Sequence, residues 1–223
     1  MRLKGNKFET ILQKNSSTII NYSMAYHRFC IPDIGHRKTD KKFKRMGRKV
    51  MIIHTERLVL KPHGIEYLQT VNKYATDLEN TKYMMHLPNR NIDETRIFLE
   101  GVTAEWQKET PTFYEFAIIL DGKHIGAVSV YLNEDSSEGE LGWIIDKDYW
   151  GCGYTSEAGK ALIDMCVDKL GIRKFIAHCD SENEASKSVM RKLGMQLKAE
   201  YDGRKNRASD EIRRECEYRM EVV

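Results

Sequence analysis

Between Leu141 and Asp180 the chain reads as an apolar run, LGWIID, a Gly-x-Gly at 151–153, an apolar stripe at helical spacing, and a second apolar run, RKFIAHCD (173–180). The stripe is Ala158, Ala161, Leu162, Met165 and Cys166, an i, i+3, i+4 pattern that marks one helix face. Strand, crossover helix, strand is a β-α-β unit, and its two strands must lie parallel. This single crossover constrains the fold most, because the rest of the chain reads as antiparallel neighbours. YEFAIIL (114–120) and HIGAVSVYL (124–132) form a hairpin with Asp121 and Gly122 in the turn, and GELGWIID follows after the polar loop NEDSSE.

Upstream, TERLVLKPH alternates Leu58 and Leu60 as a strand does, and GIEYLQTVNKYATD spaces Ile65, Leu68 and Val71 along a helix face. NIDETRIFLEGVTAEW opens on an Asp93 or Asn91 cap and carries Ile97, Phe98, Val102 and Trp106 at helical intervals. Downstream, NEASKSVMRKLG (183–194) reads as a capped helix, followed by strands near 196–202 and 213–221. The expected class is α/β, a mixed and mostly antiparallel sheet flanked by helices.

Charge divides the chain of 223 residues in two. Residues 1–50 carry 13 Lys and Arg against 3 Asp and Glu, a net of +10, whereas 51–223 carry 23 against 30, a net of −7. The run HRKTDKKFKRMGRK (36–49) shows no apolar periodicity and is expected to be solvated. Three readings of it stay open: an arm that contacts nucleic acid, the ribosome or another acidic surface; a dispensable tail; or translated sequence upstream of a true start at Met51, since GRKV admits purine-rich codons resembling a ribosome-binding site. The domain expected is therefore 51–223, behind a basic extension at 1–50.

No window approaches the roughly 18 apolar residues of a membrane span, and no secretory signal is apparent, so a cytoplasmic protein without membrane partners is expected. The five cysteines (Cys30, Cys152, Cys166, Cys179, Cys216) are odd in number and form no C-x-x-C pair, which argues against a disulfide framework and a zinc site.

A Gly-x-Gly that opens a helix offers backbone N–H groups and a positive dipole end, the chemistry of a phosphate site. A P-loop would need Gly-Lys-Ser/Thr where the chain has Gly153-Tyr154-Thr155. A dinucleotide fold could use Asp180 as a ribose-binding acid, but the third glycine is Ser156, and only one β-α-β unit stands beside an antiparallel hairpin. The remaining reading is a cradle for the pyrophosphate of coenzyme A.

At this point TERLVLKP, ELGWIIDKDYWGCGYTSEA, NEASKSVMRKLGM and GRKNRASDE, in that order over about 51–223, resemble the GNAT N-acetyltransferases, and specifically their RimJ/RimL-type branch. The resemblance implies a splayed mixed sheet, acetyl-CoA lying in the splay as co-substrate, no metal, and N-acetylation of an amine acceptor by direct transfer. Homodimer formation is compatible with it. A non-catalytic acyl-CoA-binding or ribosome-associated module is the rival reading.

Two departures stand out. The family pattern Gln/Arg-x-x-Gly-x-Gly/Ala has Asp148 at its first position here, leaving the cradle to Trp150, Gly151, Cys152, Gly153, Tyr154 and Thr155. A tyrosine acid common in the family, seven residues after the helix-opening asparagine, is replaced by Met190.

The resemblance then implies that Ser186 contacts and protonates the coenzyme A sulfur and that Asn183 caps its helix or holds the pantetheine. It also implies that Trp143, Ile144 and Ile145 offer strand backbone to the pantetheine, and that Glu140, on one face with Glu138, deprotonates the amine through water. His178 is expected in the core. Trp143 and Trp150 are candidates for the acceptor entrance, with simple packing as the alternative. Cys152 is expected to be the reactive thiol, shielded by acetyl-CoA. Cues to the acceptor conflict, since the net −7 favours a cationic amine while Arg204, Lys205 and Arg207 favour an acidic group or nothing in particular.

Overall fold

Asp121 and Gly122 both take positive φ, 47° and 77°, which matches the right-handed twist of the strands they join. The computed structural model to which they belong describes residues 51–223. Expectations for the basic extension, Cys30 and the start at Met51 fall outside the described residues.

The elements in chain order are β1 (Ile53–His54), β2 (Leu58–Pro62), α1 (Leu68–Ala75), α2 (Ile92–Trp106), β3 (Phe113–Leu120), β4 (Lys123–Leu132), β5 (Glu138–Ile145), α3 (Tyr154–Met165), β6 (Lys174–Asp180), α4 (Glu184–Lys192), β7 (Gln196–Lys205) and β8 (Ile212–Glu221). Among the described residues they build one eight-stranded sheet in the order β1-β2-β3-β4-β5-β6-β8-β7. Every neighbouring pair is antiparallel except β5 and β6, the two strands joined by α3.

α3 and α4 cover one face. Ala158, Leu162 and Met190 meet Leu58, Leu60, Phe116, Val128, Leu141 and Ile145 in the larger core. On the other face α1 and α2 form a smaller cluster of Leu68, Val71, Tyr74 and Leu99, packed against Ile144. Asn91 caps α2, its Oδ1 accepting from the backbone N–H of Asp93 and Glu94.

Two expected core positions face solvent. Ile65 lies in a 3₁₀ turn ahead of α1 and Ile97 stands on the outer side of α2, where Thr95, Leu99 and Val102 take the inward positions. The rest of the face read in the sequence packs inward, with Val102 buried, Trp106 against the larger core and Phe98 against the smaller cluster.

Glu115, in β3, is buried between Ser129 and Tyr131 of β4, and burial pushes its carboxyl up to about 7, the hydrogen bonds from those two residues offsetting only part of it. Below the ordinary glutamate value near 4.3 the group is neutral in both folded and unfolded chains. As pH rises toward 7 the unfolded chain ionises first, so stability falls across that window. Glu115→Gln is expected to be stabilising by roughly 1–3 kcal/mol at pH 8 relative to its effect at pH 4.5. Thermal melts at the two pH values check this, and an effect independent of pH contradicts it.

Candidate active site

The parallel ladder between β5 and β6 is short. It pairs Glu138 with Lys174, Gly139 with Phe175 and Glu140 with Ile176, and ends there. Leu141 to Ile145 remain paired with β4, and Ala177 to Asp180 remain paired with β8. The sheet therefore splits into two halves that diverge beyond Glu140, and one edge of β5 over 141–145 loses its ladder partner. This is the splay that the resemblance implied.

The β5–α3 loop lies at the open end of that gap. Gly151 and Gly153 have φ of 76° and 81°, the left-handed conformation in which a side chain is strained, and this accounts for the Gly-x-Gly. A Cβ at Gly151 would meet nothing within 4 Å, so conformation and not crowding demands glycine there. Gly153 stands at the N-cap of α3 and supplies no side-chain cap, while the first backbone bond into the helix is Glu157 N–H to the Gly153 carbonyl. The N–H groups of the first turn are left for a ligand. An anionic pyrophosphate fits this cradle.

Side chains from distant parts of the chain hold the loop. Glu157, in the first turn of α3, accepts from Thr55 Oγ1 at 2.5 Å, from Arg57 N–H at 2.9 Å and from Arg57 Nε at 2.7 Å. Burial opposes ionisation of Glu157, but the bonds from Thr55 and Arg57 outweigh it and hold its carboxyl below the usual glutamate value. Arg57 Nη1 also donates to the Cys152 carbonyl at 3.1 Å, and its guanidinium covers the Tyr154 ring at 4.6 Å.

On the other side of the loop, Lys73 of α1 bridges Asp146 at 2.7 Å and Asp148 at 2.6 Å. Asp148, which replaces the family's Gln or Arg, is thus an anchor for the loop. Asn80 spans the same segment, accepting from Lys147 N–H at 2.7 Å and donating to the Ile145 carbonyl at 3.1 Å.

Trp150 is 49% exposed, and its Nε1 donates to the same Ile145 carbonyl at 2.9 Å. That carbonyl is already engaged twice. Trp143 is half-buried against the larger core, so packing accounts for it, and Ile144 faces the α1–α2 cluster.

At the closed end of the gap, strand period puts Glu138, Glu140 and Gly142 on the face opposite α3 and α4, together with His178 of β6 and Glu217 of β8. His178 is not a simple core residue. Its Nδ1 lies 2.7 Å from Glu140 Oε1 and its Nε2 lies 3.6 Å from Glu217 Oε2. Burial raises the Glu140 carboxyl above its ordinary value, and the His178 hydrogen bond and charge offset part of this. Burial also works against the His178 imidazolium, but the bond to Glu140 and the charges of Glu140, Glu215 and Glu217 prevail and hold it above the ordinary histidine value.

Ser186 and Met190 are the buried residues of α4, and Asn183 caps that helix by accepting from Ser186 N–H at 3.0 Å. Met190, fully buried and without an ionisable group, supplies no acid.

Two groups weighed in the sequence have partners within the fold. Asp180 cannot serve a ribose, because it accepts from Arg213 Nε, Asn206 Nδ2 and Glu182 N–H at 2.6, 2.6 and 2.8 Å inside the fold. The basic GRKNR side chains are likewise occupied. Arg204 pairs with Glu215 and donates to the Tyr83 carbonyl, Arg207 pairs with Glu94 and donates to the His86 carbonyl, and Lys205 stands 3.4 Å from Asp210. Arg204 and Arg207 brace the β7–β8 loop against residues 83–94.

Cys152 is exposed on the cradle, whereas Cys166, Cys179 and Cys216 are buried. Iodoacetamide is therefore expected to label Cys152 well before the other three, Cys216 included, and saturating acetyl-CoA is expected to slow that labelling at least severalfold. Peptide mass spectrometry checks this, and equal labelling of Cys152 with and without acetyl-CoA contradicts the cradle.

No group of three or more metal-ligating side chains occurs among the described residues. No helix among them is long and apolar enough to cross a membrane.

Comparison with known proteins agrees with this fold. Residues 57–196 match the acetyltransferase (GNAT) domain family. The uncharacterized N-acetyltransferase p20 of Bacillus licheniformis is 25% identical over 162 residues, covering 71% of this chain and 91% of that protein. A GNAT-family acetyltransferase from Bacillus anthracis superposes with a TM-score of 0.66 at 25% identity, covering 77% of this chain and 98% of the other. RimL, a ribosomal L7/L12 alpha-N-protein acetyltransferase solved with coenzyme A, has the same fold, with a TM-score of 0.69 at 17% identity over 77% of this chain and 98% of its own.

Proposed function

The chain belongs to the GNAT acetyltransferases, and from that premise we propose that it transfers the acetyl group of acetyl-CoA to a primary amine, of a small molecule or a peptide N-terminus, by direct attack within a ternary complex. One observation carries the reading. The β5–β6 ladder ends at Glu140, so that a helix N-terminus without a side-chain cap at Gly153 and a carboxylate–imidazole pair stand at opposite ends of one gap.

The residues divide the work by position. Backbone N–H groups from Gly151 to Thr155 hold the pyrophosphate, with Gly151 and Gly153 permitting close approach; that of Trp150 is bonded to the Lys147 carbonyl at 3.2 Å. The edge of β5 at Trp143 and Ile144 orients the pantetheine by strand-like hydrogen bonds and presents the thioester near Glu140. Glu140 takes a proton from the incoming amine, directly or through a water, and so exposes the lone pair that attacks the carbonyl carbon. Ser186, on the buried side of α4, gives a proton to the departing sulfur. Asn183 holds the first turn of that helix in place.

Initial-rate kinetics test the proposal. Intersecting reciprocal plots for acetyl-CoA and amine, together with a product 42 Da heavier than the amine, are expected. Parallel plots with an acetylated enzyme trapped before amine is added would overturn direct transfer.

A further inference from the structure

We infer that His178 is a positioning residue whose imidazolium holds Glu140 in place and keeps it ionised for the acceptor's proton. The inference rests on the reading of Glu140 as the base and supplies what that reading lacks, a partner that keeps a buried base charged.

A carboxylate in the gap of a folded sheet meets a difficulty. The Glu140 side chain is only 20% exposed, and burial favours its neutral form, which accepts no proton. His178, 13% exposed, stands 2.7 Å away and supplies the compensating charge. On its other side His178 Nε2 lies 3.6 Å from Glu217 Oε2, which accepts from Tyr201 Oη at 3.0 Å. Burial opposes ionisation of Glu217, but the bonds from Arg219 and Tyr201 outweigh it and hold its carboxyl below the usual glutamate value. The ring thus stands between two carboxylates that favour its charged form.

The remaining charged and titratable neighbours are consistent with this. Tyr131 of β4 is the register partner of Glu140, and its hydroxyl donates to Glu115. On β8, Glu215 is paired with Arg204, while Arg219 is shared by Glu138 of β5, at 2.8 Å, and Glu217, at 2.7 Å. The nearby arginines are therefore matched by carboxylates, and His178 is the cation in contact with Glu140.

Protons balance in this scheme. An ammonium acceptor sheds one proton before attack, which Glu140, kept ionised by the His178 imidazolium, takes and later returns to solvent. The amine lone pair then bonds to the carbonyl carbon, the C–S bond breaks with its electrons on sulfur, and Ser186 gives its proton to the thiolate as it takes the second amine proton. One proton reaches solvent per acetyl group transferred.

The test compares His178→Gln, His178→Ala and Glu140→Gln for acetyl-CoA affinity, thermal melting and the pH profile of kcat/KM. With His178 replaced, Glu140 loses its hydrogen bond and its neighbouring cation while burial persists. Turnover should fall roughly tenfold or more, and the acid limb of the profile should move to higher pH. Acetyl-CoA affinity should stay within about twofold of wild type, and added imidazole should restore turnover in His178→Ala. His178→Gln keeps side-chain volume and supplies the answer if the alanine variant melts early. A wild-type acid limb without imidazole rescue, alongside an inactive Glu140→Gln, would overturn the role of His178 and leave Glu140 as the base. Undiminished turnover in Glu140→Gln would instead remove the base itself.

Discussion

Glu140→Gln is expected to lower turnover by about 10²-fold or more while acetyl-CoA affinity remains near wild type. The substitution keeps the size of the side chain and a hydrogen-bonding partner for His178 Nδ1, which lies 2.7 Å from Glu140 Oε1, so it removes proton affinity and little else. Glu140 stands where the β5–β6 ladder stops, away from the cradle at 150–155, and the two functions should therefore separate in kinetics. A fall in kcat with an unchanged acetyl-CoA constant, measured by steady-state rates and calorimetry, is the predicted pattern. Equal activity of variant and wild type across pH contradicts it.

The second large effect is expected at the glycines. Replacing both Gly151 and Gly153 with valine should weaken acetyl-CoA by about 10²-fold. Each residue has φ near +80°, and holding a β-branched residue there costs of order 1–3 kcal/mol. Two such sites amount to roughly 2–6 kcal/mol, and each 1.4 kcal/mol is tenfold in affinity. Gly151 lies on an exposed loop with open space where a Cβ would stand, and the nearest atom to a Cβ at Gly153 is Arg57 Nη2 at 3.6 Å. The free protein is therefore expected to relax the loop and melt near the wild-type temperature, and acetyl-CoA must then restore the strained conformation. Calorimetric titration checks this, and undiminished affinity would show that the cradle does not need left-handed backbone at these positions.

Much of the fold was legible because it rests on local patterns. The β-α-β unit, the Asp121–Gly122 hairpin and the caps at Asn91 and Asn183 each follow from period or turn chemistry within a few residues. Ile65 faces solvent because the helix it was read into starts only at Leu68, with a 3₁₀ turn ahead of it, and Ile97 because an apolar side chain at helical spacing does not reveal which of two adjacent stripes packs inward.

The site was less legible wherever it depends on pairs far apart in sequence. Thr55 and Arg57 reach Glu157 across about a hundred positions, and Lys73 reaches Asp146 and Asp148 across more than seventy. An acidic residue in the first turn of α3 and a TER just ahead of β2 hinted at the first contact, but only the sheet brings them together. His178 did carry a signal. It alternates with Ala177 and Cys179, which face the helices, so strand period alone put it on the opposite face with Glu140. The arginines at 204 and 207 left the acceptor open for the converse reason, since their partners, Glu215 and Glu94, lie on other elements.

The most direct test of the central claim is thiol release from acetyl-CoA by the purified protein against a panel of peptide N-termini, polyamines, aminoglycosides and amino acids, with each amine weighed afterwards. Amine-dependent thiol release, matched mole for mole by an amine gaining 42 Da, is the predicted result. Saturable acetyl-CoA binding without turnover on any amine in the panel would contradict the account and point to a module that binds the coenzyme without using it.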